Sequence, residues 1–201
     1  MARTIAKDHD QKRARILDTA ARVFATEGFD RASMTQLARE CGISKANIYH
    51  YYDGKQALLF DVLDSYLRDL RDRICIADEG ATDPETRFRQ MVGEILHAYQ
   101  GADHYHKVQM NALSVLPDAQ RRHLRGYQRQ LVEAMAKALA DVAPAAFAVD
   151  ADRLRATTMS VFGMLNWFFM WNTTAGASER DDYAKLVAEL TLDGVRGSAR
   201  T

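Results

Sequence analysis

A short segment near the N-terminus of the chain is rich in side chains that form hydrogen bonds. Residues 44–50 read S-K-A-N-I-Y-H. Lys45 can donate to the O6 or N7 atom of guanine, Asn47 can pair bidentately with adenine, and Ala46 can contact the methyl group of thymine. Nearby hydroxyl groups and cations can contact phosphates, which fixes the register on a duplex without reading its sequence. The segment is therefore suited to a nucleic-acid surface.

The candidate DNA-contacting set adds hydroxyl groups and cations to these possible base readers. It consists of Thr35, Ser44, Lys45, Ala46, Asn47, Tyr49, His50, Tyr51 and Lys55. Two of the hydroxyl groups, those of Thr35 and Ser44, could equally cap helices. The neighbouring Ile48 and Tyr52 are expected in the core instead.

A helix-turn-helix would position these side chains. Its first helix begins at an N-cap supplied by Ser33 or Thr35, whose hydroxyl group can accept a hydrogen bond from an unpaired backbone N–H group. Gly42 then permits a sharp turn, because glycine takes a positive φ without steric cost. Ser44 can cap the second helix, which is expected over Lys45 to Tyr51.

The sequence on both sides of this motif completes a small head. Apolar residues at helical spacing predict an amphipathic helix over residues 10–27, which Gly28 ends. After the motif, the turn dipeptide Asp53-Gly54 precedes another helix. We therefore expect a three-helix DNA-binding domain over residues 1–54 and a second domain over residues 55–201.

The second domain is expected to be helical throughout. Apolar side chains recur in it at helical spacing, and no stretch shows the alternation that is typical of a strand. Loops are expected around residues 78–83 and 145–150. Its helices are expected at about residues 55–76, 84–100, 104–116, 117–142, 151–173 and 181–195. The predicted fold class is therefore all-α, with about nine helices.

The composition favours an ordinary folded protein. Hydrophobic residues make up 47% of the 201 residues, and the mean hydropathy of -0.34 argues against a membrane protein. No apolar segment follows the basic residues near the N-terminus, so no secretory signal is expected and the cytoplasm is the expected location. Cys41 and Cys75 are the only cysteines, and their spacing is not that of a zinc site.

The charge of the chain is unevenly distributed although it sums to zero. Residues 1–55 hold ten Lys or Arg against seven Asp or Glu, a net charge of +3, whereas the remainder holds 17 against 20, a net charge of -3. A basic head on an acidic body favours contact with phosphates through the head.

The head resembles the DNA-binding domain of the tetracycline-repressor (TetR) family. The resemblance covers residues 12–62 and is carried by A-A-R-V-F-A-T-E-G-F and by S-M-T-Q-L-A-R-E-C-G-I-S-K-A-N-I-Y-H-Y-Y-D-G-K-Q-A-L-L. It implies an all-helical homodimer, in which residues 55–201 form the ligand-binding and dimerisation domain with a variable ligand pocket, and it implies repression that a small molecule relieves. It also implies that the last two helices form a four-helix bundle with those of the partner.

These implications define an expected mechanism. Two recognition helices would enter successive major grooves of a near-palindromic operator, about 34 Å apart. A ligand bound among residues 84–173 would favour a state in which the connecting helix moves the two heads out of register.

A second resemblance concerns the ligand. G-M-L-N-W-F-F-M-W-N-T-T-A-G, residues 163–176, is similar to a stretch in the branch of the family that controls fatty-acid, sterol or phenylacetate catabolism and responds to acyl-coenzyme A thioesters. Phenylacetyl-CoA is the first expectation. The chain departs from that branch at Met170, Asn172 and Thr173. The alternatives are a repressor of an efflux pump that senses hydrophobic or aromatic drugs and, in another class, an acyl-CoA-processing enzyme.

Candidate residues for the ligand and the dimer come from the helices of the second domain. The predicted ligand-binding residues are Met110, Asn111, Leu113, Tyr127, Leu131, Met135, Asn166, Trp167 and Met170. The predicted dimerisation residues are Phe162, Tyr183, Leu186, Val187 and Leu190. Asn166 could either bind the ligand or join two helices, because a buried amide needs a partner.

Other polar groups of the body carry weaker signals. Four arginines of one helix could hold the phosphates of coenzyme A, although a solvated helix face is favoured: Arg121, Arg122, Arg125 and Arg129. The histidines do not share a spacing that would bind a metal, and no nucleophile elbow or oxyanion motif is present. We therefore expect no metal, no cofactor and no catalytic residue.

Overall fold

The structure is a computed structural model that describes residues 2–77, 83–148, 150–172 and 174–198. These residues form α-helices and one short 3-10 helix, and they contain no strand. The helices are α1 (Ala2–Glu27), α2 (Met34–Cys41), α3 (Lys45–Tyr51), α4 (Lys55–Ala77), α5 (Pro84–Ala98), α6 (Asp103–Ala112), α7 (Asp118–Val142), α8 (Pro144–Phe147), α9 (Ala151–Trp171) and α10 (Ala177–Ser198), with the 3-10 helix at Leu113–Val115. The all-α prediction is confirmed.

The chain divides into two compact units. Unit 1 comprises Met1–Leu67 and Ala102–Arg125, and unit 2 comprises Arg68–Gly101 and Gly126–Thr201. Unit 1 therefore contains the three-helix head together with the first half of α4 and with α6, so it extends beyond the sequence division at residue 54. Both α4 and α7 run from one unit into the other as continuous helices.

The core of unit 1 follows from the apolar spacing of α1 and of the helix-turn-helix. Ile16 and Phe24 are buried on one face of α1, and the ring centroid of Phe24 lies 5.4 Å from that of Phe29. Leu37 of α2 and Ile48 of α3 are fully buried as well. The head is thus held by side chains that the helical pattern assigned to its interior.

The core of unit 2 is built from α5, α7, α9 and α10. Phe88 and Met91 of α5 and Leu165 and Phe168 of α9 are among its buried side chains. The start of α5 is fixed by Asp83, whose Oδ2 atom accepts hydrogen bonds from the amide and from the hydroxyl group of Thr86, each at 2.8 Å.

Several helix boundaries differ from the sequence-based expectations. The predicted loop around residues 145–150 contains the short helix α8, because Pro144 provides its first turn and Phe147 is buried. Helices α1 and α10 begin earlier than predicted, at Ala2 and Ala177. Thr173, noted for the second resemblance, lies outside the described residues. No described helix combines the length and the apolarity that a bilayer crossing requires.

Candidate nucleic-acid interface

Ser33 and Gly42 fix the two ends of α2. The Oγ atom of Ser33, its N-cap, accepts a hydrogen bond from the amide of Gln36 at 3.2 Å. Gly42 ends the helix with a φ of 68°, a left-handed conformation that is costly for other residues. Thr35 lies in the first turn and is exposed, so its hydroxyl group is not the cap.

Ser44 plays the corresponding role for α3, the second helix of the motif. Its Oγ atom accepts a hydrogen bond from the amide of Asn47 at 3.1 Å. Ile48 is fully buried and anchors the helix in the head. The bounds of α3 coincide with the predicted range, Lys45 to Tyr51.

The remaining side chains of α3 face solvent. Lys45, Ala46 and His50 are exposed, Asn47 is half-buried, and Tyr49 has 44% of its surface exposed. One face of the helix therefore presents an ammonium, an amide, a phenol and an imidazole to solvent.

Tyr51 occupies the last turn of α3 and contacts the start of α1. Its ring stacks on that of His9 with centroids 4.9 Å apart, and the ring of His50 meets its edge at 5.9 Å. The phenol is only partly exposed. Tyr51 therefore stands at the margin of the exposed face rather than at its centre.

Lys55 forms hydrogen bonds within the head. Its ammonium group donates to the backbone carbonyls of Phe29 and Asp30, each at 2.9 Å, and to that of Ala32 at 3.2 Å. A lysine ammonium has three protons to donate, so these contacts use all of them. The predicted phosphate contact of Lys55 therefore does not fit its position, because a phosphate would have to replace these carbonyls.

A polar group that sequence reasoning missed lies behind α3. Tyr52 follows the helix and is 8% exposed, and its hydroxyl group donates to the Oδ2 atom of Asp61 on α4 at 2.6 Å. Arg13 of α1 donates to the same carboxylate through its Nε atom at 3.0 Å and through a terminal nitrogen. Burial, together with the Asp61 carboxylate, raises the pKa of the Tyr52 hydroxyl group. The prediction of Tyr52 as a core residue is confirmed, but its polar partners carried no signal in the sequence.

The predicted ligand-binding residues divide between the two units. Met110, Asn111 and Leu113 belong to unit 1, where Asn111 lines a cavity of about 410 Å³ together with Phe24 and Phe29. The other six belong to unit 2: Tyr127, Leu131, Met135, Asn166, Trp167 and Met170. The structure does not bring the nine residues together within one unit.

Burial separates these residues further. Leu131 and Met135 are buried in the core of unit 2. In contrast, Met110, Trp167 and Met170 each expose more than half of their surface. These three side chains therefore lie largely at the surface of the chain.

Asn166 joins two helices of unit 2. Its Oδ1 atom accepts a hydrogen bond at 2.7 Å from the hydroxyl group of Tyr99, which follows the last residue of α5. Of the two roles that the sequence left open, this contact supports the connection between helices. Tyr127 also has a partner, because the guanidinium group of Arg71 lies 4.7 Å from the centre of its ring.

The predicted dimerisation residues fall into two groups. Leu186 and Leu190 of α10 are 48% and 57% exposed, whereas Val187 is fully buried and Phe162 is 8% exposed. Tyr183 is half-buried, and its hydroxyl group donates to the carbonyl of Met164 at 3.2 Å. Val187 and Phe162 thus belong to the core of unit 2 because their side chains point inward from the two helices.

The outer surface of α9 and α10 is strongly apolar. Trp167 and Trp171 of α9 are 55% and 58% exposed. A groove of about 330 Å³ runs between the two helices and is lined by residues that include Met164, Leu190 and Val195. Large exposed apolar areas of this kind are typical of interaction surfaces.

Two family models match the chain. The model described as "Bacterial regulatory proteins, tetR family" matches residues 16–62, and the model described as "Tetracyclin repressor-like, C-terminal domain" matches residues 81–195. A solved TetR-family transcriptional regulator from Bordetella parapertussis 12822 is 34% identical, with a TM-score of 0.84, over 90% of this chain and 94% of that chain. The chain therefore belongs to the TetR family of bacterial regulatory proteins.

Other relatives share the fold or the head. The transcriptional regulator BetI of Agrobacterium fabrum is 33% identical over 94 residues, which is 47% of this chain and 44% of BetI. This chain spans less than half the length of the curated relatives it matches. The regulator AibR, solved in complex with isovaleryl coenzyme A and operator DNA, shares the fold at 19% identity and a TM-score of 0.74, over 90% of this chain and 98% of that chain.

Within the described ranges, no group of three or more His, Cys, Asp and Glu residues could hold a metal ion. The two histidines with the shortest contacts to carboxylates are each engaged in a pair. His97 contacts Asp181, and His123 contacts Asp64, both at 2.7 Å.

Proposed function

We propose that the protein is a cytoplasmic, ligand-responsive repressor that binds a palindromic operator as a homodimer. An acyl-CoA thioester such as phenylacetyl-CoA would release it. The observation that carries the proposal is the exposed face of α3, where Lys45, Asn47, Tyr49 and His50 stand around a buried anchor, Ile48.

The chemistry of this face fits the major groove. Ser44 caps the helix and so directs its N-terminal residues outward. Lys45 and Asn47 are then available for guanine and adenine edges, and Ala46 is small enough to approach a thymine methyl group. Thr35, Ser44, Tyr49, His50 and Tyr51 are proposed to contact phosphates, which hold the helix in register. Lys55 is omitted because its donors are used within the head.

Selection from random duplexes, followed by fluorescence anisotropy on the selected DNA, tests this function. The wild-type protein should select inverted repeats whose half-sites lie about one helical turn apart. Asn47→Ala should relax the selected sequence at an adenine and cost about tenfold or more in affinity, since a bidentate base contact contributes about 1–3 kcal/mol. Asp69→Asn, an exposed change in α4, is the matched control. Wild-type affinity and selectivity in both Asn47→Ala and Tyr49→Phe would contradict the assignment of α3.

We propose that dimerisation uses the outer face of α9 and α10. Trp167, Trp171, Leu186 and Leu190 supply exposed apolar area on these two adjacent helices. Two copies would cover this area and the groove between the helices, which supports the four-helix bundle expected from the family. We therefore assign Trp167 to the proposed dimer interface and no longer to the ligand-binding residues.

The effector is proposed on two grounds. Residues 163–176 resemble a stretch in acyl-CoA-responsive regulators, and AibR, which shares the fold, has been solved with isovaleryl coenzyme A. Unit 2 contains the residues proposed to surround the acyl group, namely Tyr127, Leu131, Met135 and Asn166. To weaken operator binding a hundredfold, the effector must bind the released form a hundredfold more tightly, a difference of about 2.8 kcal/mol.

A ligand series separates this proposal from a drug-sensing repressor. Thermal unfolding and operator release would be measured with phenylacetyl-CoA, isovaleryl-CoA, phenylacetate, free coenzyme A and a cationic dye. We expect a rise in Tm and release of DNA only with the thioesters. A response confined to the dye would instead favour the efflux alternative, since the exposed tryptophans and methionines also suit aromatic cations.

A further inference from the structure

The strongest polar contact behind the recognition helix involves three elements of unit 1. The carboxylate of Asp61, on α4, accepts hydrogen bonds from Tyr52, at the end of α3, and from Arg13, on α1. Both of its oxygen atoms are used, since Arg13 also donates to Oδ1 through a terminal nitrogen. The side chain of Asp61 is only 20% exposed.

We infer that Asp61 is a positioning residue that fixes the orientation of α3 relative to α4 through the hydroxyl group of Tyr52. This inference rests on the proposed function, because it assumes that α3 is the helix that reads DNA. Asp61 itself would not contact DNA. Its effect would pass through Tyr52, while Arg13 holds the carboxylate in place.

The position of Tyr52 explains why its hydroxyl group can influence the orientation of α3. Its backbone amide donates to the carbonyl of Ile48 at 3.0 Å, which closes the last turn of α3. Its side chain is 8% exposed, so the phenol has little access to water and depends on Asp61 for its partner. Removing the acceptor of a buried donor costs more free energy than the hydrogen bond contributes. The reason is that the donor stays buried and its desolvation is no longer offset.

The hydrogen bond between Tyr52 and Asp61 makes the orientation of α3 depend on the position of α4. Helix α3 has only seven residues, and apart from Ile48 its side chains are exposed or half-buried. Ile48 is therefore the one fully buried side chain through which α3 packs into the head. Asp61 lies in the second turn of α4, the helix that continues into unit 2, so a shift of this turn would move the acceptor to which Tyr52 is tied.

Three substitutions test the inference on the full-length protein. Tyr52→Phe removes only the hydroxyl group. Asp61→Asn keeps the shape but replaces one accepting oxygen with a donor, so Tyr52 or Arg13 loses a partner. Asp69→Asn is the matched control, because it removes an acid from α4 whose side chain is 74% exposed.

The expected result is a loss of operator affinity that does not depend on salt. Tyr52→Phe should raise the operator Kd about tenfold, the size of one hydrogen bond to a charged group, and Asp61→Asn should raise it at least as much. The slope of log Kd against log salt should stay at the wild-type value, because no phosphate contact is lost. Asp69→Asn should retain the wild-type Kd.

Amide hydrogen exchange distinguishes positioning from general stability. Exchange should accelerate in peptides that cover residues 45–52 and remain unchanged in those that cover α2. The double variant Tyr52→Phe/Asp61→Asn should lose less affinity than the two single losses predict together, since both changes break the same contact.

Three outcomes would overturn the inference. These are a wild-type Kd for Tyr52→Phe, a salt slope that departs from the wild-type value, which would mean that cationic phosphate contacts are lost as well, and faster exchange throughout unit 1, which would make Tyr52 a general core residue. If the wild-type protein itself selects no operator, the proposed function fails instead. That result is distinguishable because it precedes any comparison between variants.

Discussion

The ammonium group of Lys55 lies 4.5 Å from the centre of the Phe29 ring and donates to the carbonyl oxygen of the same residue at 2.9 Å. This contact joins the first residue of α4 to the connection between α1 and α2. It changes the expected role of Lys55 from a phosphate contact to a tie within the head.

Lys55→Met should therefore lower stability rather than remove a phosphate contact. The variant leaves the carbonyls of Phe29, Asp30 and Ala32 without their donor, which should lower the free energy of unfolding by about 2–3 kcal/mol. Denaturant unfolding measures this loss.

Lys45→Met is the matched comparison for Lys55→Met. Lys45 is exposed on α3, so its loss should leave stability unchanged, weaken operator binding and relax the selected sequence at a guanine. A reduced slope with Lys55→Met would show that Lys55 leaves its carbonyl partners when DNA is bound.

The two serine caps should differ in their effect on DNA binding. Ser44→Ala and Ser33→Ala each remove an N-cap and should each lower the free energy of unfolding by about 1 kcal/mol. Only Ser44 caps the helix that carries Lys45 and Asn47. Ser44→Ala should therefore weaken operator binding more than Ser33→Ala at equal stability loss, as measured by anisotropy beside denaturant unfolding. Equal losses of affinity would contradict a special role of the α3 cap.

The local pattern of the head was sufficient to predict its elements. Ser44, Ile48 and the range of α3 follow from capping preference, burial spacing and the glycine turn, all of which act over a few residues. The contacts of Lys55 and Asp61 were not predictable in this way. Each depends on groups more than 20 residues away or on another helix, as with Arg13 and Asp61.

Helical spacing was less informative in the body. It predicted a helix over residues 151–173, but it could not say which face of that helix is covered within the chain. The structure separates Phe168, which is buried, from Trp167, which is exposed. Adjacent residues on a helix point about 100° apart, so this distinction requires knowing where the neighbouring helices lie.

The contact between Tyr99 and Asn166 can be tested for both of its possible roles. Tyr99→Phe leaves the amide of Asn166 without its donor and should lower the free energy of unfolding by about 1–3 kcal/mol. The double variant Tyr99→Phe/Asn166→Leu should recover part of that loss, because neither partner is then left alone. If Asn166 also binds the effector, the thermal shift with phenylacetyl-CoA should vanish in Asn166→Leu but persist in Tyr99→Phe.

The N-cap of α5 should make stability depend on pH. The hydrogen bonds from Thr86, first from its amide and then from its hydroxyl group, lower the pKa of the Asp83 carboxyl group. Because its pKa is lowered in the folded state, the Asp83 carboxylate contributes stability that is fully present above the pKa of the unfolded state. This stability is lost as the pH falls through the pKa of the folded state. Asp83→Ala should therefore be less stable than the wild-type protein at pH 7, and urea titrations below the ordinary pKa of 3.8 should show a smaller difference. A difference that does not change with pH would contradict the capping role of the charge.

The dimer surface can be tested with the same substitution at two positions of α10. Leu190 is 57% exposed and Val187 is fully buried. Leu190→Glu should convert the dimer into a folded monomer in sedimentation, because it places a charge in the proposed interface without entering the core. Val187→Glu should instead unfold unit 2, since an unpaired buried carboxylate is costly.

The monomeric variant also tests how operator binding depends on pairing. Leu190→Glu should keep its helical content and its Tm to within a few degrees, yet bind a full operator no more tightly than a half-site. In a dimer, binding of the first head to one half-site raises the effective concentration of the second head at the other half-site. A monomer lacks this advantage. If Leu190→Glu sediments as the wild-type protein does, the outer face of α10 is not the dimer surface, and the exposed leucines and tryptophans must serve another contact.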